Sequence, residues 1–354
     1  MSSYEKIADL PLEIDTLGLE GRQLEIGEFV RKTTLIHLAG AGKAGVGEDV
    51  VYDPHDHEVL EANGGTIEVA GRFTLDSFSR HLEDISLWPE EPQRPDSSPD
   101  YRRWAFESAA LDLALRQAGS SLAEVLERDP QPLNYVVSMR LTAPAEGEPE
   151  TTERLRKVLE MYPGTRFKLD PTNTWTPELV QELVDIGAVD SLDLKGCYKG
   201  TPVDVETDPE LYRMVIEAFP DAWLEDPDVN EETKPILDPV SDRVTWDAPI
   251  HSVADVLNRP WRPKMVNIKP SRFGPLKNLF EMYDWCESEG VRAYGGGQTE
   301  LGVGRDQIQY LASLFHPDTP NDTAPGGFNE PELPEGMPSS PIEPRVPPSG
   351  FRFH

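Results

Sequence analysis

The chain is poor in cysteine, in basic charge and in long apolar runs, and each shortage removes a class of function. Only Cys197 and Cys286 occur among 354 residues. A disulfide framework and a zinc site built of cysteines are thereby excluded, and both thiols are expected to be reduced. Lys plus Arg number 33 against 64 Asp plus Glu, a net charge of −31. That surface repels nucleic acid and anionic membranes, which excludes both as partners. It would also discourage an anionic substrate, unless a bound cation and a few lysines reverse the field locally. No segment approaches the roughly 18 apolar residues that span a bilayer, and Met1-Ser-Ser-Tyr-Glu-Lys6 lacks the basic flank and apolar core of a leader. We therefore expect a cytoplasmic protein, and read the acidity as a device for solubility in a salty or hot habitat.

What the chain does have is a series of short apolar runs, each delivering one charged residue before a break. They end in Lys168 (Arg-Phe-Lys-Leu-Asp-Pro), Asp193 (Ser-Leu-Asp-Leu-Lys-Gly), Glu225 (Trp-Leu-Glu-Asp-Pro), Asp247 (Val-Thr-Trp-Asp-Ala-Pro) and Lys269 (Val-Asn-Ile-Lys-Pro). The intervals are 193−168 = 25, 225−193 = 32, 247−225 = 22 and 269−247 = 22, each about one strand-plus-helix unit. Charged groups at the ends of consecutive strands converge at the C-terminal mouth of a (β/α)₈ barrel. Three carboxylates and two lysines there make a metal site with two bases.

A chain of this length accommodates a barrel and a satellite domain. Residues 24–52 alternate polar and apolar around the glycine-rich Gly40–Gly45 and read as a hairpin. Gly40-Ala-Gly42-Lys-Ala-Gly45 matches a dinucleotide fingerprint, but a strand pattern follows it where that motif needs a helix. Tyr101–Ala118 has helical spacing ended by Gly119, and Ser121–Leu126 starts a second helix. We expect an α+β capping domain over residues 1–130, ending at Asp129-Pro-Gln-Pro132. The barrel is expected over 131–316, with strands at Tyr135–Leu141, Arg166–Leu169, Ser191–Leu194, Ala222–Leu224, Arg243–Trp246, Met265–Ile268 and Val291–Tyr294. The eighth strand must lie in the weak region after Arg305–Phe315. The proline-rich 317–354 is expected to wrap the surface.

Residues two apart on a strand share a face. Arg166, Lys168 and Asp170 then point together, as do Asp193 with Lys195 and Asn267 with Lys269. Hard oxygen ligands from Asp193, Glu225 and Asp247 suit Mg²⁺, with calcium or manganese as alternatives. Beside a metal, and for Lys168 beside Arg166, the ammonium form is disfavoured and the amine can act as a base. Singly, each acid would read as a solvated turn residue and each lysine as a surface one. The joint spacing argues otherwise.

This order resembles the enolase superfamily, and within it the muconate-lactonizing subgroup, whose pattern runs Lys-x-Lys, Asp, Glu, Asp, Lys. Arg166-Phe-Lys168 stands at the Lys-x-Lys, and Asn267-Ile-Lys269 resembles the later lysine strand. Gly295-Gly-Gly-Gln-Thr-Glu300 resembles the segment after it, while Gly45-Val-Gly-Glu48 and Phe106–Ala114 resemble the capping domain. The resemblance implies a modified TIM barrel with an N-terminal α+β cap, Mg²⁺ at Asp193, Glu225 and Asp247, and catalytic Lys168 and Lys269. Arg166, Lys195, Asn267 and Glu300 are then substrate-binding candidates, and a homo-oligomer is implied. Leu169-Asp170-Pro-Thr-Asn-Thr-Trp175 also resembles a ligand strand, but that register leaves 225−170 = 55 residues between neighbouring ligands, so Asp193 is preferred. The chain departs from the pattern at Lys195, Asp226 and Ala248. It has no histidine near Gly295–Glu300 to serve as a base, and His251 and His316 read as structural.

The implied reaction is removal of an α-proton from a small carboxylate substrate, most simply to racemise or epimerise an acylated amino acid or dipeptide. A lyase or cycloisomerase reaction of the o-succinylbenzoate synthase or muconate type is the alternative, and a non-catalytic scaffold a second. Substrate choice is expected from Leu19–Phe29 and Tyr52–Glu58, with Arg22 among the contacts.

Overall fold

The computed structural model describes residues 1–26, 29–94, 96–143, 148–201 and 203–354. The tip of the expected specificity loop, residues 27–28, lies outside them. In the N-terminal part β1 (Pro11–Ile14) pairs antiparallel with β5 (Gly71–Thr74), while β2 (Thr16–Ile26), β3 (Phe29–Gly40) and β4 (Lys43–Asp49) form an antiparallel meander. The β3–β4 turn is only Ala41 and Gly42, both at positive φ (49° and 71°), as a two-residue hairpin of primed type requires. The glycines after it serve another purpose. A Cβ at Gly45 would lie 2.3 Å from the backbone N of Leu113, and one at Gly47 2.1 Å from the carbonyl O of Ala105. Their absence of side chains lets the buried helix Ser98–Ala118 lie directly on β4. The fingerprint-like run therefore opens a strand and no helix.

The second part is built of parallel strands in chain order: β6 (Val136–Met139), β7 (Arg166–Leu169), β8 (Val189–Asp193), β9 (Trp223–Glu225) and β10 (Val244–Thr245). The ring goes on through β11 (Met265–Ile268), whose Asn267 N–H donates to Trp246 O at 3.0 Å. β12 (Arg292–Gly295) pairs parallel with β11. Closure comes from two residues, Asn321 and Asp322, bridged to Tyr135 on one side and Gly296 on the other. Asp322 N–H donates to Gly295 O and Val136 N–H to Asn321 O, each at 2.8 Å. An eight-membered parallel ring results, its last member two residues long and following the helix Val303–Phe315.

Helices start where the sequence provides caps: Thr176 accepts from Leu179 N–H and Asp208 from Glu210 N–H, each before a proline. One continuous apolar core joins the two parts. The proline-rich end of the chain packs on both, with Ile342 bridged to Leu133 and Gly350 to Ser121. Phe351 and Phe353 are fully buried, and Phe351 N–H donates to Asp112 at 2.8 Å. Among the described residues no helix is long and apolar enough to cross a membrane.

Candidate active site at the barrel mouth

All five charged residues of the sequence pattern stand at the C-terminal ends of ring strands, and all are buried. Lys168 is the third residue of β7, Asp193 and Glu225 end β8 and β9, and Asp247 and Lys269 follow β10 and β11. Their burial in a water-poor ring makes mutual pairing obligatory. Lys168 Nζ lies 2.5 Å from Glu225 Oε1, 3.2 Å from Asp322 Oδ2 and 3.3 Å from Asp193 Oδ2. Lys195 Nζ lies 2.5 Å from Asp193 Oδ2, and Lys269 Nζ 2.8 Å from Asp247 Oδ2.

Four residues that the sequence did not single out complete the network. Arg272 donates to Asp247 Oδ1 at 2.6 Å, and Tyr198 O–H to Asp247 Oδ2 at 2.9 Å. Tyr294 O–H donates to Glu225 Oε2, and Asp322 is the third acid around Lys168. Tyr294 lies in an expected strand and Arg272 in the Lys269-Pro-Ser-Arg run, so alternation and proximity could have suggested them. Asp322, on a two-residue strand, has no periodicity to find.

Burial alone would raise the Asp193 carboxyl, but Lys195 and Lys168 more than offset it and hold the group below the usual carboxylate range. Asp247 goes down likewise, burial being outweighed by Arg272 and Lys269. Glu225 goes up, because burial, with the Asp193 and Asp247 charges, outweighs Lys168. Asp226 is pushed up to about 7 by burial and by the same two aspartates. Burial disfavours the Lys168 ammonium, yet Glu225, Asp322 and Asp193 stabilise it further, so it stays charged. The expected neighbour Arg166 does not oppose them. It starts β7, at the far end of the strand from the mouth, and bonds Asp190 Oδ1 at 2.9 Å and Gly187 O at 2.6 Å. There it lines a cavity of about 360 Å³ with Asn134, Asp190 and Arg292. Sharing a strand face with Lys168 is not enough when the two stand at different heights.

Asn267 shares the face of Lys269. Its carboxamide is buried, and among the described residues neither Nδ2 nor Oδ1 has a partner; Gly296 leaves it room, since a Cβ there would meet Asn267 Oδ1 at 2.6 Å. Glu300 accepts from Gln298 N–H at 2.6 Å and faces Arg305 at 2.9 Å. The capping domain grips this loop: Arg31 donates to Gln298 O at 2.8 Å, Tyr52 O–H to Gln298 Oε1 at 2.7 Å, and Glu48 accepts the N–H of Leu301 and of Gly304, each at 2.7 Å. A cavity of about 430 Å³ lies between Arg22–Leu24 of β2 and Thr299–Leu301. Lys195, Asp226 and Thr299 have φ of 54°, 48° and 55°, and such left-handed non-glycine backbone gathers at functional sites.

Asp193, Glu225 and Asp322 surround the Lys168 ammonium as they would a bound cation, and their hard oxygens fit Mg²⁺ or a similar ion. Asp247 instead faces Lys269 and Arg272, and among the described residues no three Asp, Glu, His or Cys side chains stand as a ready metal cage. The donor chemistry of these acids fits a divalent cation.

A closed parallel ring under an α+β cap is the fold of solved enolase-superfamily members and muconate lactonizing enzymes. A dipeptide epimerase from Methylococcus capsulatus, solved with Mg, superposes with a TM-score of 0.65 at 17% identity over 88% of this chain and 89% of that one. The muconate lactonizing enzyme from Pseudomonas putida gives 0.61 at 16% over 88% of each. Within that fold the chain belongs to the family described as the domain of unknown function DUF8230, matching its N-terminal domain over residues 5–125 and its C-terminal domain over 129–330. The o-succinylbenzoate synthase of Bacillus subtilis (strain 168) is 28% identical over 246 residues, 66% of this chain and 62% of that protein. An N-succinylamino acid racemase of an Amycolatopsis species is 40% identical over 63 residues, 18% and 16% of the two chains. The matches thus span under two thirds of the length of these curated relatives.

Proposed function

We propose that the protein is a Mg²⁺-dependent enzyme that removes the α-proton of a small carboxylate substrate and returns it, racemising or epimerising an acylated amino acid or dipeptide. The observation that carries this reading is the placement of the two lysines. β7 is the second member of the ring and β11 the sixth, so Lys168 and Lys269 arrive from opposite sides of the mouth. An α-carbon between them would meet one amine on each face. Each lysine then serves one enantiomer as base and the other as acid. Held by Asp193, Glu225 and, on the next strand end, Asp247, whose carboxylate would then be shared with Lys269 and Arg272, a divalent cation would polarise the substrate carboxylate and stabilise the charge that deprotonation leaves on it.

The protein's own groups do the rest. Glu225 and Asp322 fix the position of Lys168, Asp247 and Arg272 that of Lys269, and the unpartnered Asn267 carboxamide offers a donor and an acceptor to the substrate beside Lys269. The capping residues Arg31, Glu48 and Tyr52 hold the Gln298–Gly304 segment in place. The likeness to the N-succinylamino acid racemase and the dipeptide epimerase favours proton return. The likeness to the o-succinylbenzoate synthase favours the second reading, elimination after proton removal.

Hydrogen–deuterium exchange separates the readings. In D₂O, with N-succinylamino acids and dipeptides as substrates, Lys168→Ala should abolish racemisation but leave α-proton exchange of one enantiomer, and Lys269→Ala should leave exchange of the other. Dependence of exchange on one lysine alone would turn the case to elimination. Turnover indifferent to both substitutions would end the two-base mechanism.

A further inference from the structure

Lys195 stands between two carboxylates. Its Nζ is 2.5 Å from Asp193 Oδ2 and 3.4 Å from Asp170 Oδ2, and its left-handed backbone (φ 54°) folds the side chain back over the end of its own strand. The two acids differ in what else they bind. Asp193 also takes Lys168 at 3.3 Å through Oδ2 and the Lys195 N–H at 3.2 Å through Oδ1. Among the described residues Asp170 has little beyond Lys195: Arg140 Nε is 4.0 Å from its Oδ2, and its buried Oδ1 has no partner there. Asp170 therefore keeps free acceptor capacity within reach of an ammonium now spent on Asp193.

We propose that Lys195 is a movable counter-ion, seated on Asp193 when no divalent cation is bound and transferred to Asp170 when one is. This rests on the reading of Asp193 as a metal ligand. A divalent ion on Asp193 repels an ammonium bonded to the same oxygen, and like charges at contact distance in a buried site are costly. Asp170 offers a seat that keeps Lys195 paired while Asp193 is given up. Asp170 thus sets metal affinity as a positioning residue and never touches the metal. The same arrangement explains why a carboxylate on the neighbouring strand is buried beside the site with an oxygen to spare.

The test is a double-mutant cycle read by Mg²⁺ titration calorimetry at fixed ionic strength, with Mn²⁺ paramagnetic relaxation as a second measure of bound metal. Asp170→Asn should weaken Mg²⁺ binding at least about tenfold, or 1.4 kcal/mol, because the displaced ammonium has lost its seat. Lys195→Asn should bind at least as tightly as the parent, and in that background Asp170→Asn should change affinity by less than about twofold. An equal loss in both backgrounds would make Asp170 itself a ligand, and no loss in the parent would remove its role; either overturns the proposal. Glu225→Gln is the control on the underlying reading: parent-like Mg²⁺ affinity there means that the ligand set is wrong, whatever Lys195 does. Thermal melts confirm folding, and Asp170→Ser replaces Asp170→Asn if the latter does not fold.

Discussion

The carboxylate of Asp226 receives the backbone N–H of Asp247 on Oδ1 at 2.8 Å, so the residue beside one candidate ligand fixes the strand end that carries another. Its Oδ2 takes the N–H of Ala248 at the same distance. Asp226→Ala would leave both amides unpaired, the buried one of Asp247 at about 1–3 kcal/mol and the half-buried one of Ala248 at less. Asp226→Asn supplies one acceptor and turns an NH₂ toward the other amide. Denaturant unfolding should therefore rank the parent above Asp226→Asn, and that above Asp226→Ala. Equal stability of all three would remove this role.

Ring closure depends on Asn321. Its Oδ1 accepts from Gly295 N–H at 2.6 Å, and its Nδ2 reaches the carbonyls of Asn134, His316 and Thr319 within 3.1 Å. Asn321→Ala should cost about 2–4 kcal/mol, as expected for several lost buried hydrogen bonds. Hydrogen exchange should show the loss first in β6 and β12, the strands that Asn321 joins. Uniform loosening across the ring would show that the closure is not local.

How much of this could be read in advance differs by element. β7 and β11 were legible residue for residue, since apolar runs ended by a charge and a proline leave little freedom. That Asp193, Glu225, Asp247 and the two lysines stand at strand ends followed from the apolar runs and their spacing; the roles proposed for them lean on the family resemblance as well. The closing pair Asn321-Asp322 was not legible, because two residues held by ring geometry and one carboxamide carry no pattern. The heights along strands were equally hidden, and so Arg166 looked like a neighbour of Lys168. In the cap, Gly45 read as the end of a glycine-rich connection, when it joins Gly47 on the smooth face of a strand beneath a helix.

His316 gives a pH signature. Burial lowers its pKa from the ordinary 6.5 to about 4, with Nδ1 2.7 Å from Asn321 Oδ1. The unfolded chain binds this proton at pH values where the folded protein refuses it, so the contribution is intact above 6.5 and is lost as pH falls toward 4. Linkage puts the loss between pH 7 and pH 4 at about 3 kcal/mol. Relative to His316→Gln, the parent's unfolding free energy should fall by that order over this range. Parallel pH profiles would show that His316 does not titrate in this way.

The charge of −31 predicts stabilisation by salt. Screening shortens from about 10 Å at 0.1 M to about 3 Å at 1 M, which weakens repulsion among exposed acids more than it weakens the buried pairs of the mouth. Tm should rise by several degrees between 0.1 and 1 M KCl. A flat or falling Tm would mean that the surface acids are already balanced by local pairing.

The docking of residues 350–353 sets an order of events during synthesis. Ser120 O accepts from Gly350 N–H at 3.0 Å, and Asp112 accepts from Phe351 N–H, so the long helix of the cap waits for partners that the ribosome delivers only after the whole barrel. Until then its seat for Phe351 is an open apolar socket on a nascent chain. A chaperone that shields such sockets should therefore hold on until Phe353 has emerged from the ribosome, and a ribosome stalled before that point should leave a cap that is structured yet adhesive.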